Sequence, residues 1–247
     1  MHHTIAWASN ASNTAEVDLT PVADPVIPVT ASNHFLPPAS VPLVYIGAAS
    51  PNLQRARYTT PTLQLVTTPF IRPINQLANF GIPQRFQNLS GDPLMLAGTE
   101  ELSLLVTQTG GAAEFVRGVA GLMFQPSPAP VGRQWTLRGT ATTAAVVNVW
   151  TQLVMTWFNQ LPTGNFAVVG MEAFSATMNS ARLIFPNQLY RPGCLGIVSL
   201  TNKADDVFRN GNLGTWGVFP NFVMPLVEVF CAAADAAYEI YLDIVRV

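Results

Sequence analysis

The side chains able to do acid, base or metal chemistry are few and badly placed for it. His2, His3 and His34 are the only histidines; two are neighbours, and none has the spacing that brings imidazoles together on zinc or beside a nucleophile. A cupin-type enzyme is disfavoured for the same reason, because its metal needs clustered histidines. Gly211, Gly214 and Gly217 make a glycine-rich run, but a dinucleotide loop spaces its glycines differently and a P-loop needs a lysine that is missing here. The run reads as a turn. Glu228, Glu239 and Asp243 are candidates for the paired carboxylates of glycoside hydrolysis, although carboxylates along strands ordinarily form a solvated outer face. Asn10-Ala11-Ser12 and Asn88-Leu89-Ser90 match the glycosylation triplet, which means little without a secretory signal. These residues predict no enzyme, no metal and no cofactor.

Charge excludes more. Charged residues make up 11% of the chain and hydrophobic ones 49%, with a net charge of −2; about a quarter charged is usual. Lys203 is the single lysine and the arginines are scattered one by one, so no basic cluster exists to neutralise phosphates or hold an anionic membrane. Direct sequence-specific nucleic-acid binding is not expected. Isolated arginines suit bidentate bonds to carboxylates or carbonyls at interfaces. The folded surface must display uncharged Ala, Thr, Asn, Gln and Pro, a composition suited to burial against neighbours. Cys194 and Cys231 lie in apolar stretches and read as small buried hydrophobes, with a disulfide unsupported. Residues 1–10 lack a signal-peptide pattern, and the apolar run 144–158 is interrupted by Asn148, Thr151, Gln152 and Thr156, so neither secretion nor a membrane span is expected.

The elements that must position these side chains are short. The 20 prolines and 17 glycines divide the chain into runs rich in Val, Leu, Ile, Phe and Thr, the pattern of strands closed by turns. Strands are predicted over residues 134–138, 146–158, 166–174, 181–185, 195–200, 227–231 and 238–247. The last alternates: Tyr238, Ile240, Leu242 and Ile244 share one face, with the carboxylates of Glu239 and Asp243 on the other. One short helix is predicted over Ala176–Arg182.

Internal repetition organises these runs. Ile5, Trp7, Ala11, Ala15, Val17 and Leu19 match Trp135, Leu137, Ala141, Ala145, Val147 and Val149 without a gap. Leu36-Pro37 precedes Val44–Gly47 and then Ala56-Arg57, as Leu161-Pro162 precedes Ala167–Gly170 and then Ala181-Arg182. Arg72-Pro73 with Phe86-Gln87-Asn88 is followed in the second half by Arg191-Pro192 with Phe208-Arg209-Asn210. Each half then ends in a hairpin-like pair of runs. The halves are of about equal length and are joined by Gln125-Pro126-Ser127-Pro128-Ala129-Pro130, which reads as a semi-rigid spacer. Halves of this size and content suit eight short strands in two facing antiparallel sheets.

In that order of Leu-Pro, Gly, Ala-Arg, Arg-Pro and Phe-x-Asn signals, and in the closing run 225–247, the chain resembles the double jelly-roll major capsid proteins of tailless icosahedral viruses. That class is found in adenovirus and in membrane-containing or related bacterial and archaeal phages. The resemblance covers nearly the whole chain. It implies an all-β fold of two tandem eight-stranded jelly-roll sandwiches with few short helices: a first roll over 1–124, a Pro-rich linker over 125–132 and a second roll over 133–247. It further implies a viral major capsid protein whose pseudo-hexagonal homotrimers tile an icosahedral capsid, assembled in the host cytoplasm and located in the virion. Its partners would be its own copies, other capsid proteins such as a penton, and an internal membrane as a further candidate. The loops are short, which leaves little material for towers used in receptor binding.

The candidate inter-subunit contacts are Arg57 with Arg182 and Arg72 with Arg191, each pair at equivalent places in the two halves, plus Trp216 and Phe219 in the glycine-rich loop. The competing reading of the arginines is that each ties down its own turn, and of the aromatics that they plug a loop. Residues 1–4 and 21–34 are candidate arms. Two other functions fit this composition: an extracellular filament or surface-layer subunit, whose contacts do not close, and a carbohydrate-binding β-sandwich, which needs aromatics and polar groups converging on a groove.

Overall fold

The computed structural model describes residues 1–11, 15–50, 53–62, 70–71, 86–108, 114–197 and 213–247. These are strand-forming runs of β-branched and aromatic residues cut by proline and glycine, and the regular structure they form is all-β with almost no helix. The chain forms two compact units. One is built from the described residues between Ile5 and Leu122, the other from Met1–Thr4 together with Met123–Val247.

The first unit contains β1 (His2–Ala11, from Ile5 onward), β2 (Val17–Asp18), β3 (Thr20–Pro21), β4 (Val41–Ala49), β5 (Leu53–Thr59), β6 (Phe70–Ile71), β7 (Phe86–Asn88), β8 (Leu94–Leu96), β9 (Ser103–Gln108) and β10 (Glu114–Met123, to Leu122). The second contains β11 (Gln134–Ala141), β12 (Trp150–Leu153), β13 (Thr156–Trp157), β14 (Asn165–Phe174), β15 (Met178–Ile184), β16 (Gly193–Ile197), β17 (Gly217–Pro220), β18 (Leu226–Cys231) and β19 (Tyr238–Arg246). In the first unit one sheet is ordered β3-β1-β10-β4-β7, with β8 also on β4, and the other β2-β9-β5-β6. In the second, β13-β11-β19-β14-β17 and β12-β18-β15-β16 follow the same two orders. Parallel rungs Ala173–Gly196 and Phe174–Ile197 join them into one nine-stranded sheet. Each unit thus sets its opening strand beside its closing strand, and the closing strand beside the long strand that follows.

The agreement extends to single rungs. Ala56, Arg57 and Tyr58 face Val106, Leu105 and Leu104, while Ala181, Arg182 and Leu183 face Val229, Glu228 and Val227. Gly47 faces Val119 as Gly170 faces Asp243. Several sequence expectations need correction at this level. Val17 shares its rung with Val106, and the residue paired with Val229 is Thr151, so the gapless match to Val147 slips after the first strand. Arg57 faces Phe70 and Arg182 faces Gly193; the expected equivalence of Arg72 with Arg191 involves a residue outside the described ones. The closing runs are not hairpins: β9 and β10 lie in different sheets, and β18 and β19 pair with other strands. Residues 176–182 form no helix; most of them lie in β15, where buried Met178, Asn179, Ser180 and Ala181 pack on both faces. The run 146–158 is broken into β12 and β13, and β19 loses its alternation where Asp243 and Val245 are buried as well. Arg72-Pro73 and Phe208-Arg209-Asn210 lie outside the described residues.

Aromatic side chains fill the cores. In the first unit Trp7 meets Phe35 and Tyr58 edge-on, with ring centroids 4.9 and 5.3 Å apart. Tyr58 rises from β5 and its hydroxyl reaches Gly47 O at 2.7 Å and Val119 O at 2.9 Å, the paired residues of β4 and β10 in the opposite sheet. Burial holds this phenol protonated, far above its ordinary range. Gly118 leaves room beside this hydroxyl for Leu104, since a Cβ there would sit 1.9 Å from Leu104 Cδ2 and 3.3 Å from the Tyr58 oxygen. In the second unit Phe166 stacks obliquely with Trp135 and Phe219 at 5.4 and 6.0 Å. The expected spacer 125–130 is stitched to this unit: Thr215 N donates to Ser127 O at 2.9 Å, and Thr215 Oγ1 to Pro128 O at 2.8 Å. Gly214 makes that seam possible, with φ of +67° and no room for a Cβ against Ser127 O. Replacing Tyr58 by Phe removes the sheet-to-sheet hydrogen bond while keeping the ring; stability should fall by about 1–2 kcal/mol, read as a lower urea midpoint at an unchanged slope.

Candidate functional site

Cross-strand pairing on β15 and β18 brings Arg182 opposite Glu228. The Arg182 side chain is only 1% exposed, and its Nε donates to Glu228 Oε2 at 2.7 Å while Nη1 donates to Thr4 O at 3.0 Å. Its guanidinium lies 4.0 Å from the centre of the Trp150 ring, a cation–π contact from the neighbouring edge strand. Arg191 Nη1 reaches both oxygens of the same carboxylate, at 2.7 and 2.8 Å. One carboxylate therefore joins two guanidiniums inside the unit.

The chain's first residues close over this pair. Arg191 N donates to His3 Nδ1 at 2.9 Å, and Thr4 N donates to Arg191 O at 3.0 Å. His2 Nε2 contacts Gly193 at its carbonyl oxygen, 2.9 Å away, and its amide, 3.1 Å away. The His2 ring meets Trp216 edge-on at 4.8 Å, and burial pushes its pKa down to about 3, so it is neutral at ordinary pH. Phe124 N and Gln125 N both donate to Met1 O, at 3.1 and 3.0 Å. Residues 1–4 are thus a fixed part of the second unit and not a free arm. In 21–34 the backbone is likewise held, with Val22 N donating to Ala6 O at 2.8 Å.

The expected interface residues have internal roles. Arg182, Trp216 and Phe219 are buried within their own unit, and Arg191 is committed to Glu228; these four find their partners inside the chain. Arg57 occupies the rung equivalent to Arg182, as the sequence suggested, and pairs with Glu16. Arg72 lies outside the described residues. The three candidate carboxylates are separately engaged: Glu228 by its arginines, Glu239 by Arg138 at 2.5 Å, and buried Asp243 by Thr136 at 2.6 Å. Glu228 and Asp243 are buried, so the three form no common outer face. His34 sits in the first unit between Asp18 and Glu101. Among the described residues no three His, Cys, Asp or Glu side chains converge on a metal position, and no disulfide joins Cys194 to Cys231.

The surface that sequence reasoning missed surrounds β12 and β13. Val154 and Phe158 are 78% and 58% exposed, beside exposed Val146, Val147 and Val149. Among the described strands β12 ends its sheet order and pairs with β18 alone. Arg138 lies over the Phe158 ring at 5.1 Å. Nearby, β13 covers β11 only at Gly139 and Thr140, and a cavity of about 220 Å³ opens beside Trp135, Thr136 and Leu137, with Asn159, Gln160, Leu161 and Pro162 on its other wall. The signal for this surface was in the sequence: the polar residues Asn148, Thr151, Gln152 and Thr156 interrupt the apolar run, which a strand buried on both faces does not tolerate. Removing the shared carboxylate by Glu228→Gln leaves Arg182 buried without its counter-charge and should cost about 3–5 kcal/mol. Arg138→Met, at an exposed pair, should leave the urea midpoint near the parent value.

No protein-family model and no curated protein matches the chain. Among solved structures it is similar to the major capsid protein P2 from bacteriophage PM2, with 10% sequence identity and a TM-score of 0.24 over 100% of this chain and 98% of that one. A superposition that loose carries no weight beside the strand order.

Proposed function

We propose that the chain is a viral major capsid protein, a double jelly roll whose copies pack as pseudo-hexagonal trimers into an icosahedral shell. The observation that carries this reading is the recurrence of one strand order, matched rung by rung, in two successive units. A duplicated sandwich presents two similar blocks to its neighbours, so three copies offer six blocks and approximate a hexagon. We take the rolls as the two units, the first within residues 5–122 and the second built from residues 1–4 with 123–247, in place of the bounds 1–124 and 133–247 expected from the sequence. The role needs no catalytic group. It needs rigid walls that are rarely charged, and 11% charged residues supply few groups to desolvate on packing.

The exposed apolar side chains of Val146, Val149, Val154 and Phe158, which flank β12 and β13 in a stretch with no lysine or proline, supply a surface for such packing. Other capsid proteins such as a penton, and an internal membrane, are the further partners this role would involve; the virion is its location, after assembly in the host cytoplasm. A second reading, a carbohydrate-binding β-sandwich, is favoured by the cavity in which Trp135 stands across from Asn159 and Gln160. An open filament or surface-layer lattice is the third.

Sedimentation and electron microscopy of the purified protein separate these. Trimers growing into closed shells are expected; a concentration-independent monomer that binds sugars would favour the second reading, and open fibres or planar arrays the third. Within the capsid reading, Val154→Asp with Phe158→Asp should shift sedimentation toward monomer and leave the urea midpoint within about 1 kcal/mol of the parent, since both side chains are exposed. Unchanged assembly would remove this rim from the interface.

A further inference from the structure

His34 is gripped from both sides. Its ring Nδ1 lies 2.8 Å from Glu101 Oε2, and Nε2 is in hydrogen-bond contact with Asp18 Oδ2. Ionised carboxylates only accept hydrogen bonds, and a neutral imidazole has one N–H. With both carboxylates ionised, holding both partners at once requires a proton on each ring nitrogen. Asp18 lies on β2, which pairs with β9, and Glu101 immediately precedes Leu102, which exchanges backbone hydrogen bonds with Phe35 at 2.7 and 3.2 Å. The imidazole thus ties one chain segment to two others.

That segment has an anchored base and an exposed tip. Ile27 and Phe35 are buried, whereas Ala31, Ser32 and Asn33 are exposed. Asn33 adopts the left-handed conformation at φ of 64°, and Thr30 N donates to His34 O at 2.8 Å. His34 N also donates to Thr30 Oγ1 at 3.3 Å, and with His34 the Thr30 and Ser32 hydroxyls hold the Glu101 carboxyl below its ordinary range. Seating of the tip therefore converges on the same carboxylate that His34 holds.

We propose that His34 is a proton-operated clasp that seats the tip Ala31–Asn33 against Asp18 and Glu101, closed when the imidazole carries both protons and released when it loses one. The charged groups facing His34 among the described residues are these two carboxylates. Burial of the ring opposes its charge, but the bonds to Glu101 and Asp18 prevail and raise its pKa above the ordinary 6.5. Burial also lifts Asp18 despite the His34 contact, while the His34 bond draws Glu101 down. The sign follows from the histidine. Its contribution is complete below the unfolded pKa and disappears as pH rises through the higher folded value.

Two measurements on the full chain decide it. The ring nitrogen shifts of His34, followed by NMR against pH, should titrate above the free-histidine value, and Asp18→Asn and Glu101→Gln should each lower that midpoint. Limited proteolysis at Ala31–Asn33, compared with His34→Gln at each pH, should be several-fold slower in the parent at about pH 6 and equal by about pH 9. A ring already neutral at about pH 6, or a parent-to-variant cleavage ratio independent of pH, overturns the clasp.

Discussion

A β-sheet has two faces and two edges, and each must be covered by protein or by water. In each unit of this chain the faces are covered from within. Trp7, Phe35 and Tyr58 fill the first core, and Phe166, Trp216 and Phe219 the second. Tyr58 does more than fill space, because its hydroxyl bonds to carbonyls of the facing sheet and fixes which rungs oppose each other. Edges are harder to hide. Among the described residues β12 has one paired side, and β11 is covered on its second side at Arg138, Gly139 and Thr140. Solvent can satisfy the backbone there, but it cannot satisfy Val154 and Phe158. The demand for burial that shapes the interior therefore extends to the surface.

Much of the strand content was legible because period-two runs bounded by proline and glycine have few other ways to fold. Residues 134–141, 165–174, 226–231 and 238–246 are strands close to where the pattern placed them. Ala176–Arg182 was misread because Ala, Met and Arg favour helices intrinsically, and nothing local announces that β15 lies between β16 and β18. The repeat was legible in order but not in register. Short signals such as Arg-Pro mark turns, and turns slide by a few residues while strand rungs cannot. Arg57 and Arg182 matched because both lie within strands, where the rung fixes each side chain's place.

The candidate site was legible in residue type and not in direction. Isolated arginines do seek carboxylates, as the spacing suggested. Whether the carboxylate belongs to a neighbour or to the same chain depends on contacts far apart in sequence, and Glu228 meets Arg182, Arg191 and, through Arg182, the backbone of Thr4. The burial of residues 2–4 had no local pattern to announce it; it follows from their hydrogen bonds to Arg191, Gly193 and Arg182, far away in sequence.

The scarcity of charge gains a structural meaning from these partners. Arg57 with Glu16, Arg182 and Arg191 with Glu228, His34 with Asp18 and Glu101, and Arg138 with Glu239 are all ties within one unit. Charges spent this way bring no long-range field to the surface, and the net charge of −2 is small for a chain of this size. Identical molecules approach one another without strong repulsion when their net charge is low, so association is then governed by shape and apolar area. A protein that must stay dispersed ordinarily does the reverse, covering its open strand edges with lysine. This chain has a single lysine, Lys203, and leaves valine and phenylalanine at the edge. Internal charge pairing and exposed apolar side chains thus divide the labour: ion pairs secure the strands of each unit, and Val154 and Phe158 are left apolar at the surface of the second.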